Sequence, residues 1–313
     1  LVAMGSALRG TGIAKPTMLV QMATVVLNAL LAPVFIAGWL TGVPLGVAGA
    51  GLASSVSVVA GVLMLYWYFV KLEHFVRFDR AAFRPRLAQW RRMLSIGLPA
   101  GGEFALMFVY MAVIYWVIRG FGAEAQAGFG VGGRVLQATF LPAMAIAFAA
   151  APVAGQNVGA RLPQRTRDTF RWASLMGSLV MLAATLVCQW RADWLVSRFT
   201  SDAAVVAVAS GFLHVISWNF VAQGIIFTCS GMFQALGNTV PSVLSSASRI
   251  VTFAVPAIWW SGQPGFALGH VWWLSVITIL LQMTVSLLLL RREFRRRLVI
   301  PSGVAPVSAP ASA

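Results

Sequence analysis

Long apolar runs alternate with short polar breaks along almost the whole chain. A bilayer span needs about 20 consecutive apolar residues, and eight runs of that kind fall near 17–40, 44–70, 93–118, 125–155, 172–190, 203–233, 240–261 and 265–290. Barrel strands would be about ten residues long and would alternate apolar with polar positions. These runs are longer and unbroken, which predicts an all-α integral membrane protein with about eight transmembrane helices. Residues 1–8 are apolar and small and read as the end of one more helix. Because the chain opens inside that helix end without a signal-peptide pattern, earlier spans are expected to precede it. Residues 298–313, ending in a Pro/Ala/Ser-rich stretch, show no helical apolar face and are expected to form a disordered cytoplasmic tail.

A repeat lies within this pattern. Gly12-Ile-Ala-Lys-Pro16 follows one apolar segment and Gly237-Asn-Thr-Val-Pro241 follows another, 225 residues later. In each, a helix end, a glycine turn and a proline-started helix come in order, as helix termini prefer. The offset fits a six-span repeat unit, and parallel six-span halves are a known transporter plan. The longest polar stretch between spans, 71–92, carries seven basic and two acidic residues and is the expected inter-lobe linker. Residues 1–70 would then end a first lobe, and 93–297 would form a complete second one.

Composition agrees with a membrane protein: 59% of residues are hydrophobic and 10% charged, against about 25% charged in soluble domains. The net charge of +15 does not point to nucleic acid, because it is laid out by side. Eighteen of the 23 Lys and Arg residues fall on alternate loops and the chain ends that share their side, and three on the opposite loops. This is the positive-inside pattern, and it places the rich face and the C-terminus in the cytoplasm. Such loops hold topology and touch anionic lipid. Cys188, Cys229, His74, His214 and His270 are scattered, so neither a metal site nor a disulfide framework is expected. Trp39, Trp67, Trp90, Trp116, Trp172, Trp190 and Trp194 lie near span ends, as an interfacial belt.

Three charges fall inside predicted spans: Glu103, Arg134 and Arg249. Each costs roughly 2.5–3.5 kcal/mol on insertion scales and so belongs in a bundle interior or a wet cavity. Helix rise places Glu103 about 16 Å from the inner edge and Arg134 about 15 Å from the outer one. Two readings fit this pair equally: a structural ion pair, or a Glu103 that exchanges a proton or cation under the bias of Arg134. Met107 and Tyr110 share the Glu103 face at i+4 and i+7, where thioether and ring would suit an organic cation, although plain helix packing gives the same stripe. Gln137 adds a polar group three residues after Arg134. Asn219 and Gln223 sit four apart and can face one cavity, or bond between helices. Arg249 is expected to snorkel toward the cytoplasmic edge, and His214 to be a satisfied packing residue. Gly128-Phe-Gly-Val-Gly-Gly133 matches a dinucleotide fingerprint only formally, since no strand precedes it. Gly97/Gly101 and Gly128/Gly132 are expected to let helices approach closely, and Pro142, Pro152 and Pro256 to kink theirs.

Ile96-Gly-Leu-Pro-Ala100 opening a span, Gly155-Gln-Asn-Val-Gly-Ala160 closing the next, and the two glycine–proline turns, with Asn28 and Pro33 after the first, resemble the multidrug and toxic compound extrusion (MATE) transporters. The resemblance runs from Leu1 to about Arg297. It implies a two-lobed fold of twelve helices, of which this chain holds the last two of the first lobe and all of the second. It also implies efflux driven by sodium or protons. Family members often carry acidic residues in the helix that holds Glu103, several of them about a turn later. The resulting expectation is an antiporter of cationic or amphipathic organic compounds, not an enzyme, in a plasma membrane of the bacterial inner-membrane type. It would need no cofactor beyond its coupling ion, H+ or Na+, and would be a monomer when full length. Glu103 and Arg134 would couple the ion, and Met107, Tyr110, Gln137, Asn219 and Gln223 would line the substrate cavity. The alternatives are a lipid-linked saccharide flippase, an integral-membrane enzyme, or a nonfunctional fragment.

Overall fold

The computed structural model describes residues 1–39, 42, 44–71 and 86–298. Most of the expected linker, 72–85, and the tail from 299 onward lie outside the described residues. Ten α-helices run through the rest: α1 (Val2–Gly10), α2 (Lys15–Ala37), α3 (Gly46–Lys71), α4 (Leu87–Ile118), α5 (Ala123–Gly159), α6 (Pro163–Ser197), α7 (Ala203–Ile216), α8 (Phe220–Ala235), α9 (Val240–Ser261) and α10 (Leu268–Arg297). A 3-10 turn at Ser217–Asn219 joins α7 to α8 into one span. Among the described residues there are thus eight membrane-length helical spans and no strand. The wide apolar surfaces left on them, such as Leu19, Val26, Leu98, Phe108, Leu186 and Val255, are suited to lipid.

The helices fall into two units, Leu1–Leu87 and Ala88–Ala313. In the first, α2 and α3 pack side by side, with Gly49 set against the backbone of Phe35 and Gly61 against Thr24. Leu8, Val20, Leu65 and Phe69 close a small core where α1 meets them. In the second, α5 packs on α6, α7 and α8, while α10 packs on α8 and α9. Gly128 and Gly132 allow the α5–α7 approach: a Cβ at Gly128 would lie 2.6 Å from Val208 Cγ1, and one at Gly132 would strike the Phe212 ring. Gly97 and Gly101 do not act in this way, because nothing described lies within 4 Å of a Cβ at either. Their helix, α4, approaches α5–α10 less closely than those helices approach one another. It reaches them through long side chains instead.

Both glycine turns of the repeat have the same backbone. Gly12 (φ 89°) donates to Arg9 O and Ile13 to Leu8 O; Gly237 (φ 71°) donates to Gln234 O and Asn238 to Phe233 O. Positive φ is cheap only for glycine, and the paired bonds satisfy helix-end carbonyls that would otherwise be orphaned. Pro16 and Pro241 then start α2 and α9 in the first turn, where a missing N–H costs nothing. Asp202 starts α7 by accepting from the N–H groups of Ala204 and Val205.

The interior prolines, Pro142, Pro152 and Pro256 among them, lie within continuous helices. The internal break in helical geometry falls at Arg191 in α6, φ −134° and ψ 31°. The belt tryptophans are all exposed. Four of them are covered by a neighbouring cation, Trp67 by Lys71, Trp116 by Arg119, Trp190 by Arg191 and Trp194 by Arg198. Trp272 departs from the belt. It is buried, and packs with Phe129 and Phe212 at ring distances of 5.8 and 4.7 Å.

Candidate functional site

A cavity of about 190 Å³ lies within the second unit, between α4 and the helices it stands off from. Glu103, Met107 and Tyr110 line it from α4, Asn219 and Gln223 from the α7–α8 span, Arg249 from α9, and Ser275 and Gln282 from α10. Most of its remaining wall is apolar, including Phe140, Phe227, Ile250, Ile279 and the Phe129–Trp272 stack. A mostly apolar hollow with a few convergent polar groups is the usual form of a small-molecule site.

The polar groups are held in place by named partners. Ser230 Oγ donates to Glu103 Oε1 at 2.7 Å, which ties α4 to α8 and fixes the carboxylate at the cavity wall. Seven residues further along α4, the Tyr110 and Ser275 hydroxyls share a hydrogen bond of 2.6 Å, and Phe253 meets the Tyr110 ring edge-on at 4.8 Å. The Arg249 guanidinium lies over the same ring, 4.1 Å from its centroid, and donates to Ser275 Oγ at 3.5 Å. A cation over an aromatic face is attracted by the ring quadrupole, more strongly where water is excluded. Three buried polar atoms on this wall, Asn219 Oδ1, Gln282 Oε1 and Arg249 Nε, have no hydrogen-bond partner among the described residues. Buried polar atoms are almost always paired, and these three, sealed behind the cavity surface, become available only when neighbouring side chains shift.

Five of the seven residues singled out from sequence thus meet at one cavity: Glu103, Met107, Tyr110, Asn219 and Gln223. Arg134 and Gln137 do not. Both are exposed, and Glu103 makes no ion pair with Arg134 among the described residues. Helix phase is the reason. Phe129, Leu136, Phe140 and Ala147 form the cavity-facing stripe of α5, and Arg134 sits about 200° around the helix from Leu136.

The snorkelling expectation for Arg249 is also overturned. Its side chain turns inward to Tyr110 and Ser275 instead of running toward the cytoplasmic edge. His214 is tied to its own helix, Nδ1 to Ser210 O at 2.9 Å, and is absent from the cavity wall. Sequence reading missed Ser230, Ser275 and Gln282. Small polar residues in a span carry no cost large enough to announce a role, so only their placement opposite Glu103 and Arg249 shows it.

Eight membrane-length helices, five of them lining a polar-studded hollow in the second unit, define a polytopic helical membrane protein of the transporter kind. The MatE family profile matches residues 99–260, and the chain belongs to that family, the MATE transporters. It is 29% identical over 270 residues to the probable multidrug resistance protein YpnP of Bacillus subtilis (strain 168), covering 84% of this chain and 58% of that one. It is 27% identical over 255 residues to the multidrug export protein MepA of Staphylococcus aureus (strain N315), covering 80% of this chain and 55% of that one. Among solved structures, an outward-facing multidrug resistance MATE transporter superposes with a TM-score of 0.83 at 25% identity, over 92% of this chain and 64% of that one. A transporter of the same superfamily from Pyrococcus furiosus, described as having a binding pocket of reversed polarity, gives 0.84 at 25% identity, with the same coverage of both chains. The chain spans a little over half the length of the curated relatives it matches.

Proposed function

We propose that the protein is the second lobe, with the last two helices of the first, of a secondary exporter for cationic or amphipathic organic compounds. Export would be driven by entry of H+ or Na+. Residues 93–297 form that second lobe in this reading, 71–92 link the lobes, and the C-terminal tail is cytoplasmic. The full-length protein works as a monomer in the plasma membrane. The observation that carries the reading is the single carboxylate, Glu103, bonded to Ser230 at the wall of an otherwise apolar cavity. A half-buried carboxylate at a cavity wall can bind a proton or a cation and exchange it for a cationic guest, which is what antiport needs of it. The relatives named for multidrug resistance and export support a drug-like substrate. Arg134 and Gln137 have no part in the cavity and are left out of its mechanism.

The test is ethidium efflux from proteoliposomes holding the full-length protein, with a sodium gradient or a pH gradient imposed separately. One gradient drives wild-type efflux, and Glu103→Gln abolishes that drive. Efflux from Glu103→Gln at the wild-type rate, under the same gradient, would remove Glu103 from the coupling.

A further inference from the structure

The cavity holds a second charge for which the exporter reading has no use. Arg249 belongs to its wall, and no carboxylate lies within ion-pair distance of it among the described residues. The nearest candidate on α4, Glu103, is bonded to Ser230 and stands seven residues before Tyr110, about 10 Å along the helix axis. What the guanidinium has instead is a ring face, one long hydrogen bond to Ser275 and an unpaired Nε. A guanidinium presents its donors in a planar fork that matches a carboxylate with two parallel bonds. Here part of that fork has no partner, deep in a span where an unpaired charge is costly.

We propose that Arg249 is the carboxylate anchor of this cavity, the residue that sets its preference between an aromatic guest bearing a carboxylate and one bearing an ammonium group. The surroundings fit that guest. One guanidinium, with no second basic group on the wall among the described residues, suits a carboxylate's single charge better than a phosphate dianion. Phe140, Phe227, Phe129 and Trp272 make that wall largely aromatic, as an aromatic guest would need. This inference rests on the cavity being the transport cavity, and it names the guest's chemistry.

Two probes with the same ring system and opposite head groups, naphthylacetate and naphthylmethylammonium, separate the cases. Binding is measured calorimetrically to the full-length protein in phosphatidylcholine nanodiscs, with empty discs subtracted. Wild type is expected to bind naphthylacetate, and Arg249→Gln to lower the ratio of naphthylacetate to naphthylmethylammonium affinity by about tenfold or more. Arg249→Lys, which keeps the charge but not the fork, falls between them. Naphthylacetate binding no stronger to wild type than to empty discs overturns the proposal without any variant. So does an Arg249→Gln protein that loses both probes equally, since the arginine is then structural. Ethidium efflux and its dependence on Glu103 are read separately, so the exporter assignment can stand while the carboxylate site falls, or the reverse.

Discussion

At the scale of single residues, the site is built from one costly group and several cheap ones. Glu103 was legible in the sequence because a carboxylate inside an apolar run has so few places to go. Its partner Ser230 was not, because a serine in a span is unremarkable until the fold brings its helix within 2.7 Å of an acid. The two arginines fail in opposite ways. Arg134 has the depth of a site residue but the wrong phase, and the Gly128/Gly132 packing stripe on the same helix marks the side it avoids. Arg249 was read as a side chain long enough to escape, but a ring 139 positions earlier in the chain holds it in. Ser230→Ala removes a hydrogen bond to a charged acceptor, worth about 1.5–3 kcal/mol, and should slow gradient-driven ethidium efflux by about tenfold. Ser230→Thr keeps the hydroxyl and should stay near the wild-type rate. Equal initial rates for Ser230→Ala and wild type would mean that the serine does not position the acid.

At the scale of helices, close approach is confined to a few glycines, and this makes their contributions separable. The α5–α7 contact depends on Gly128 and Gly132, whereas Gly133, one residue on, has open space where its Cβ would be. Gly128→Val forces a branched side chain into Val208 and should destabilise the protein by about 1–3 kcal/mol, as overpacking does. Gly133→Ala should be neutral, or stabilise by up to about 1 kcal/mol through helix propensity. Thermal unfolding in detergent reads both; a Gly128→Val midpoint matching wild type would show that α5 and α7 are not locked at this seam. The far end of the unit is tied differently. Thr239 Oγ1 donates to Ile96 O at 2.6 Å, and Arg297, paired with Glu293 at 2.9 Å, donates to Leu236 O at 2.6 Å. The α8–α9 turn is thus fastened to both α4 and α10 at the end where the basic residues gather.

At the scale of the whole molecule, all eight spans were legible from hydrophobic runs alone, because an unbroken apolar run of that length satisfies its own backbone in lipid only as a helix. Their ends were not. Helix α6 begins at Pro163, nine residues before the run that announced it, and α10 continues through Arg291–Arg297. Those turns are charged, lie beyond the apolar slab and carry no hydropathy signal. The basic side is expected to face the cytoplasm. A cysteine replacing Gly262, between α9 and α10, should react with an impermeant maleimide on intact cells, and one replacing Gly159 only after the inner face is opened. The reverse order would invert the topology, and background is low because Cys188 and Cys229 are both buried.

The 3-10 turn between α7 and α8 has a further consequence. Thr185 donates to Ser217 O at 2.9 Å, and Gln189 to His214 O at 2.6 Å and Ser217 Oγ at 2.8 Å, so side chains of α6 take up the backbone oxygens at that joint. Opening that 3-10 turn would strand those donors in a dry medium. The joint is therefore pinned, and the span it interrupts is expected to move as one rigid rod. Spin labels at Ala207 and Gln234 should hold a single separation whichever side the carrier is open to, leaving the flexing to be done by other parts of the protein.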